Sequence, residues 1–166
     1  MLAASIDETP LKSELPRVYA QRLAAAKARA AAALWSGGPA IVLAADTVVA
    51  CGRRILPKAE SEAEVLACLK LLSGRSHQVI TGVALLTPDG ALRRRTVVTR
   101  VTFRRLDAAE TIAYGDSREG IGKAGGYAIQ GRAEAFVRHL NGSHSSVVGL
   151  PLAETVTLLR GSGYPC

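Results

Sequence analysis

The chain reads as an α/β protein, a mixed twisted sheet flanked by helices, and three observations carry that reading. Segments with a helical period alternate with β-branched runs along the whole length. Two of the runs meet at Pro88-Asp89-Gly90, a turn that makes them an antiparallel hairpin. An apolar stretch at residues 40–50, AIVLAADTVVA, has the character of an interior strand. At 166 residues the chain suits one compact domain, and residues 1–166 are read as that domain, with no repeat, low-complexity tract or linker.

Residues 16–35, PRVYAQRLAAAKARAAAALW, are alanine-rich with regularly spaced Arg17, Arg22, Lys27 and Arg29, and they stop at SGGP, which predicts a helix. After the strand around Asp46, CGRRILPKAE is expected to turn and to carry Lys58. Ser61 and Glu64 have capping-box spacing, and Val65, Cys68, Leu69 and Leu72 share one face of the helix that Gly74 closes. The hairpin occupies residues 77–103, with Val97, Val101 and Phe103 on one face and Arg100, Thr102 and Arg104 on the other. Asp107 and Glu110 repeat the capping-box spacing for a short helix to Tyr114. The glycine-rich GIGKAGGYAIQG leads to an expected strand at AEAFVRHL, and Pro151 opens a last helix with Leu152, Val156 and Leu159 on one face.

The balance of 21 basic and 14 acidic side chains, a net charge of +7, favours anionic partners. With aromatics at 4% there is no stacking platform for single strands, and the arginines of ALRRRTVVTRVTFRRL read as a solvated strand face, so a nucleic-acid role is disfavoured. The 3 cysteines are scattered, without CxxC spacing, and indicate neither disulfide nor zinc. No apolar run is long enough for a membrane span and no signal-peptide pattern opens the chain, so a cytoplasmic protein is expected.

Asp46 is the residue that ordinary core packing does not explain. An ionised carboxylate inside an apolar strand costs several kcal/mol, on the order of what only a partner offsets, and a metal ion or a lysine is the natural candidate. A structural hydrogen bond at a strand end is the plainer alternative. Glu8 of IDET and Asp46 could share Mg²⁺ or Mn²⁺, since such cations take one or two carboxylates plus water and phosphate oxygens. Lys58, Arg75 of SGRSHQVITG and Lys123 of KAGGYAIQG could neutralise those phosphates, and Gln130 could cap a backbone group or read a base edge. His77 reads as a hydrogen-bonded structural histidine at a strand start. A P-loop would need glycine at 117 and Ser or Thr at 124, where the chain has Ser117 and Ala124, and no GxSxG elbow is present.

IDETP, RLAAAKA, VLAADTVV, the lysine of ILPKAES, LSGRSHQVITGVAL, KAGGYAIQG and SSVVGLPL, in this order, resemble the blocks of the Maf family of nucleotide pyrophosphatases, over essentially residues 6–161. The resemblance implies a Maf/ITPase-like fold and metal-dependent hydrolysis of a nucleoside triphosphate to the monophosphate and pyrophosphate. Asp46 matches the family's proton acceptor, which would deprotonate the attacking water or help hold the metal. Thr47 and Gln130 match positions tied to base selection, in the form of the branch that prefers dTTP and UTP. Glu8, Lys58, Arg75 and Lys123 would bind metal or phosphate. The resemblance also suggests a homodimer.

Two departures stand out. Family members open with a strand and a loop of the type SxSPRRxxLL, for which Met1 to Ser5 offer no counterpart, so a chain short of that segment is expected. In ILPKAES, Pro57 precedes the lysine and Ala59 follows it, where the family has glycine before and proline after. A rival expectation is therefore a non-catalytic nucleotide-binding or cell-division regulatory protein.

Overall fold

Pro16 at the first helical position opens α1 (Pro16–Leu34), the longest helix, and Trp35 Nε1 donates to Gly38 O at 2.9 Å where the chain leaves it. The computed structural model describes residues 5–166. The expectation about the segment ahead of the IDET motif concerns Met1–Ala4, which lie outside those residues.

Strands β1 (Val42–Cys51), β2 (Arg54–Leu56), β3 (Ser76–Leu86), β4 (Leu92–Phe103) and β5 (Val137–Asn141) form one sheet in the order β2-β1-β3-β4-β5. The α/β class is as expected, and every pairing between these strands is antiparallel. Parallel contact is confined, among the described residues, to a bridge between Ala59 and Ile121. The register pairs Asp46 with Gly82 and Thr47 with Thr81. On its far side β1 is covered by β2 only at Val49–Cys51, so the edge from Val42 to Val48 has no sheet neighbour among the described residues.

One face of the sheet carries α1. Ala20, Ala24, Ala25 and Ala28 are buried against it, and small side chains let the helix lie close. Gly82 sits at the tightest point, where a Cβ would fall 2.5 Å from Ala20 O. On the other face Val49, Val79, Val101 and Phe103 pack with Val65, Leu69 and Leu72 of α2 (Glu62–Leu72), Tyr114 of α3 (Ala108–Asp116), and Tyr127, Ile129 and Phe136. Burying each such Val, Leu or Phe side chain contributes roughly 1.5–3 kcal/mol.

Asp107 and Glu110 form the full capping box, whereas Glu64 accepts from the Glu60 N–H while Ser61 caps Glu64 N. Several elements differ from expectation. The turn carrying Lys58 contains the short edge strand β2. The first half of the expected strand at AEAFVRHL is a 3₁₀ turn, Arg132–Phe136, because Phe136 turns inward to the aromatic cluster before β5 begins. An additional short helix, α4 (His144–Val148), precedes α5 (Leu152–Arg160), whose buried residues are Thr155 and Leu158 while Leu152 stays 56% exposed. The expected face of α5 is thus rotated, since Leu158 is the residue that meets Val83 and Leu85 of β3. No described helix is long and apolar enough to cross a membrane, and all cysteines are free.

Candidate active site

Alternation along β1 turns Asp46 toward α1 and Thr47 toward the opposite face. Tyr19, Leu23 and Lys27 recur at four-residue spacing on α1, so they share a helix face; Tyr19 and Leu23 pack on Val48 and Ile80, and the next position brings Lys27 level with Asp46. Its Nζ donates to Asp46 Oδ1 and, at 2.8 Å, pairs with Glu8 Oε1. Glu8 Oε2 accepts from Lys58 Nζ at 2.7 Å. Two acids and two lysines therefore form one chain of ion pairs across the mouth of a cleft.

Lys27 was not among the residues singled out from sequence. Its signal was present, since it lies in the RLAAAKA block and an apolar strand holding Asp46 demands a cation. An alanine-rich helix with regularly spaced basic residues nevertheless reads as a solvated face.

The Asp46 side chain is only 6% exposed, and burial pushes its carboxyl above the ordinary carboxylate range against the pull of Lys27. Burial alone would lower the Lys27 pKa, but its bonds to Asp46 and Glu8 more than reverse this and raise it. Burial also acts on Glu8, where the hydrogen bonds from Lys27 and Lys58 prevail and hold the carboxyl below its usual value.

Glu8 lies in a segment without strand or helix, and α1 straps that segment down. Tyr19 donates its hydroxyl to Glu8 O at 2.5 Å, Arg22 Nη2 donates to Thr9 O at 3.0 Å, and Arg22 grips Glu14 with a two-pronged pair at 2.7 and 2.8 Å.

The glycine-rich passage reaches the site through backbone bonds. Ala59 N donates to Lys123 O, Gly122 N to Ala59 O and Gly125 N to Pro57 O, which brings Lys123 beside Lys58. Gly125 has φ +69°, and a Cβ there would meet Val49 Cγ1 at 2.8 Å, so glycine is required on both counts. The result is a cleft of about 240 Å³ walled by Asp46, Thr47, Lys58, Lys123, Gln130 and Gly149, opening beside Asp46 into a second hollow with Glu8 and Tyr19 on its wall.

Arg75 is not brought to this place. It is exposed just before β3 and borders a groove with Arg54, Glu64 and Cys68. From Ser76 to Gly82, the partner of Asp46, is about 20 Å of strand. His77 is buried, its Nε2 2.7 Å from the Tyr127 hydroxyl and its ring edge-on to Phe103 and Tyr127, and burial lowers its pKa to about 4.

The donor set suits a hard divalent cation in limited form. Among the described residues no group of three or more His, Cys, Asp or Glu converges, and Asp46 keeps Oδ2 free of hydrogen bonds to them. Such a set supplies one or two carboxylates and leaves the remaining positions to water and phosphate oxygens, which Mg²⁺ favours.

Fold and cleft together define an α/β protein with paired acids and lysines lining a cleft at the edge of its sheet. The sequence matches the family described as Maf-like protein over residues 1–162, and the chain belongs to that family. It is 61% identical, over 97% of its length and 84% of the relative's, to a dTTP/UTP pyrophosphatase of Paramagnetospirillum magneticum. The identity to a dTTP/UTP pyrophosphatase of Caulobacter vibrioides is 61%, over 97% of this chain and 82% of that one. For a protein of the same name from Rhodospirillum rubrum it is 60%, over 97% and 76%.

Proposed function

We propose that this chain hydrolyses dTTP and UTP to the nucleoside monophosphate and pyrophosphate, water attacking the α-phosphorus as the bond to the β-phosphate oxygen breaks. Asp46 carries the reading: a buried acid, made more basic by burial, stands between a cleft walled by lysines and a hollow lined by Glu8. Its role is to take the proton from the attacking water, a task that raised basicity serves. Lys27 keeps Asp46 ionised until the proton moves and holds its Oδ1 in place. Lys58 and Lys123 meet the phosphates of the leaving pyrophosphate. Thr47 and Gln130, which line the same cleft, meet the base.

The residues that would hold a divalent metal are Glu8 and Asp46. When bound, the ion would neutralise part of the triphosphate charge. Arg75, which lines neither of these hollows, has no part in this reading. A homodimer is proposed on the family resemblance alone.

The test is pyrophosphate release with Mg²⁺ or Mn²⁺ across dTTP, UTP, CTP, GTP and ATP by the wild type and by Asp46→Asn. Turnover on dTTP and UTP that vanishes in Asp46→Asn, with circular dichroism unchanged, is expected. Wild-type protein that binds dTTP but releases no pyrophosphate would replace this reading with that of a binding protein.

A further inference from the structure

Resting on the pyrophosphatase reading, we propose that Thr81 sets base selectivity by fixing the direction of the Thr47 hydroxyl. Thr81 is fully buried, so its single proton has only protein partners. Its Oγ1 lies 2.7 Å from Ser146 O and 2.9 Å from Thr47 Oγ1. A carbonyl oxygen cannot donate, and two oxygens at 2.7 Å without a proton between them repel; the Thr81 proton therefore points to Ser146 O. Thr81 then has only lone pairs for Thr47, and the Thr47 proton points to Thr81. What Thr47 presents to the cleft is an oxygen that can only accept.

The relay is anchored at its far end. Ser146 O belongs to α4, whose N-cap Ser143 accepts from Ser146 N at 3.2 Å, and Ser143 is tied to β4 by Thr99, which accepts from Ser143 N at 3.0 Å and donates to Ser143 O at 3.2 Å. Thr47 Oγ1 is also next to Gly149, another wall of the cleft, so the fixed acceptor faces the space a ligand enters.

Uracil and thymine carry a donor at N3, whereas cytosine carries an unprotonated nitrogen there. An acceptor-only oxygen bonds the first and repels the second. Thr47 touches the base; Thr81 is the positioning residue behind it, and Ser146 O the fixed end that gives the relay its direction.

The experiment measures kcat/KM for UTP and CTP with the wild type, Thr81→Val and Thr81→Ser. Valine matches threonine in shape and removes the hydroxyl, which frees the Thr47 proton to point into the cleft. The UTP:CTP ratio is expected to fall by roughly ten-fold or more in Thr81→Val, as the loss of one oriented hydrogen bond to a base implies. It should return toward wild type in Thr81→Ser, which restores the hydroxyl. A ratio unchanged in Thr81→Val, with both substrates slowed alike, would overturn the proposal and leave Thr81 a packing residue, as would a wild type that prefers CTP. If the wild type turns over no nucleotide, the pyrophosphatase reading fails separately. Calorimetric affinities for UTP and CTP then decide the relay by the same ratios.

Discussion

Replacing Lys27 by Met keeps most of the stem's volume and removes the ammonium that Asp46 faces. Asp46 has a 6% exposed side chain, and Lys27 is its hydrogen-bond partner among the described residues. Breaking a buried pair by removing one partner costs about 3–5 kcal/mol, most of it the penalty of the charge left behind. Lys27 is 23% exposed, so water reaches part of the vacated volume, and the expected loss is roughly 2–3 kcal/mol in urea unfolding at pH 7. Asp46→Asn should cost less, about 1 kcal/mol, because Lys27 retains Glu8. The double variant should cost less than the sum of the two, the excess being their interaction energy. Catalysis supplies the second readout. The Lys27 charge favours ionised Asp46, so its removal raises the Asp46 pKa further, and the acid limb of kcat/KM should move to higher pH. A Lys27→Met protein as stable as Asp46→Asn, with an unmoved acid limb, would refute Lys27 as the counter-ion.

Gly82→Ala places a Cβ 2.5 Å from Ala20 O and 2.8 Å from Ala20 C, backbone atoms that yield only if α1 shifts. We expect a loss of about 1–3 kcal/mol in urea melts, and a larger proportional fall in pyrophosphate release, because α1 carries Lys27. His77 gives a pH signature. Its folded pKa of about 4 lies below the ordinary 6.5, so the unfolded chain takes up the proton first, and stability held above pH 6.5 is lost as pH falls toward 4. The loss is about 3 kcal/mol by linkage, and urea midpoints of His77→Gln should fall less across that window than those of the wild type, the remaining fall coming from carboxylates such as Glu8 and Glu110.

The helical segments were legible because their signals are local. Proline at the start of α1, the capping residues Ser61 and Asp107 and the apolar spacing of α2 each act within one or two turns. Asp46 was legible for the opposite reason, as a charge in a context that rejects it. The fully antiparallel sheet was not, because pairing β1 with β3 depends on contacts across some thirty residues or more, beyond any period of the chain. The face of α5 was missed because Leu152, Leu158 and Leu159 are equally apolar, and only the position of β3 decides which is buried. Lys27 and Thr81 were missed alike: a basic residue in an alanine helix and a threonine in a strand are ordinary until the fold brings each within bonding distance of a residue on another element. Arg75 lines neither hollow at Asp46 but a neighbouring groove that shares Leu56 and Pro57 with one of them, and a basic residue in a familiar block carries no information about which end of its strand it serves.

The charge count at the cleft bears on why the acids and lysines are interleaved. Asp46 and Glu8 supply two negative charges and Lys27, Lys58 and Lys123 three positive ones, which leaves the group at +1. A triphosphate brings about four negative charges, so these residues alone leave the occupied cleft near −3. Binding by attraction would be better served without the acids, which argues that they serve the chemistry and not the capture. On the proposed reading the base is the Asp46 carboxylate, and an anion in this strand must be neutralised before the substrate arrives. Lys27 performs that neutralisation at no cost to Oδ2, the oxygen that stays open for a proton or a cation. Glu8 in turn spaces Lys27 from Lys58, so the two ammoniums do not repel across an empty site. One divalent ion, on the proposed reading, would reduce the remaining deficit to near −1, within reach of the general field of a chain whose net charge is +7.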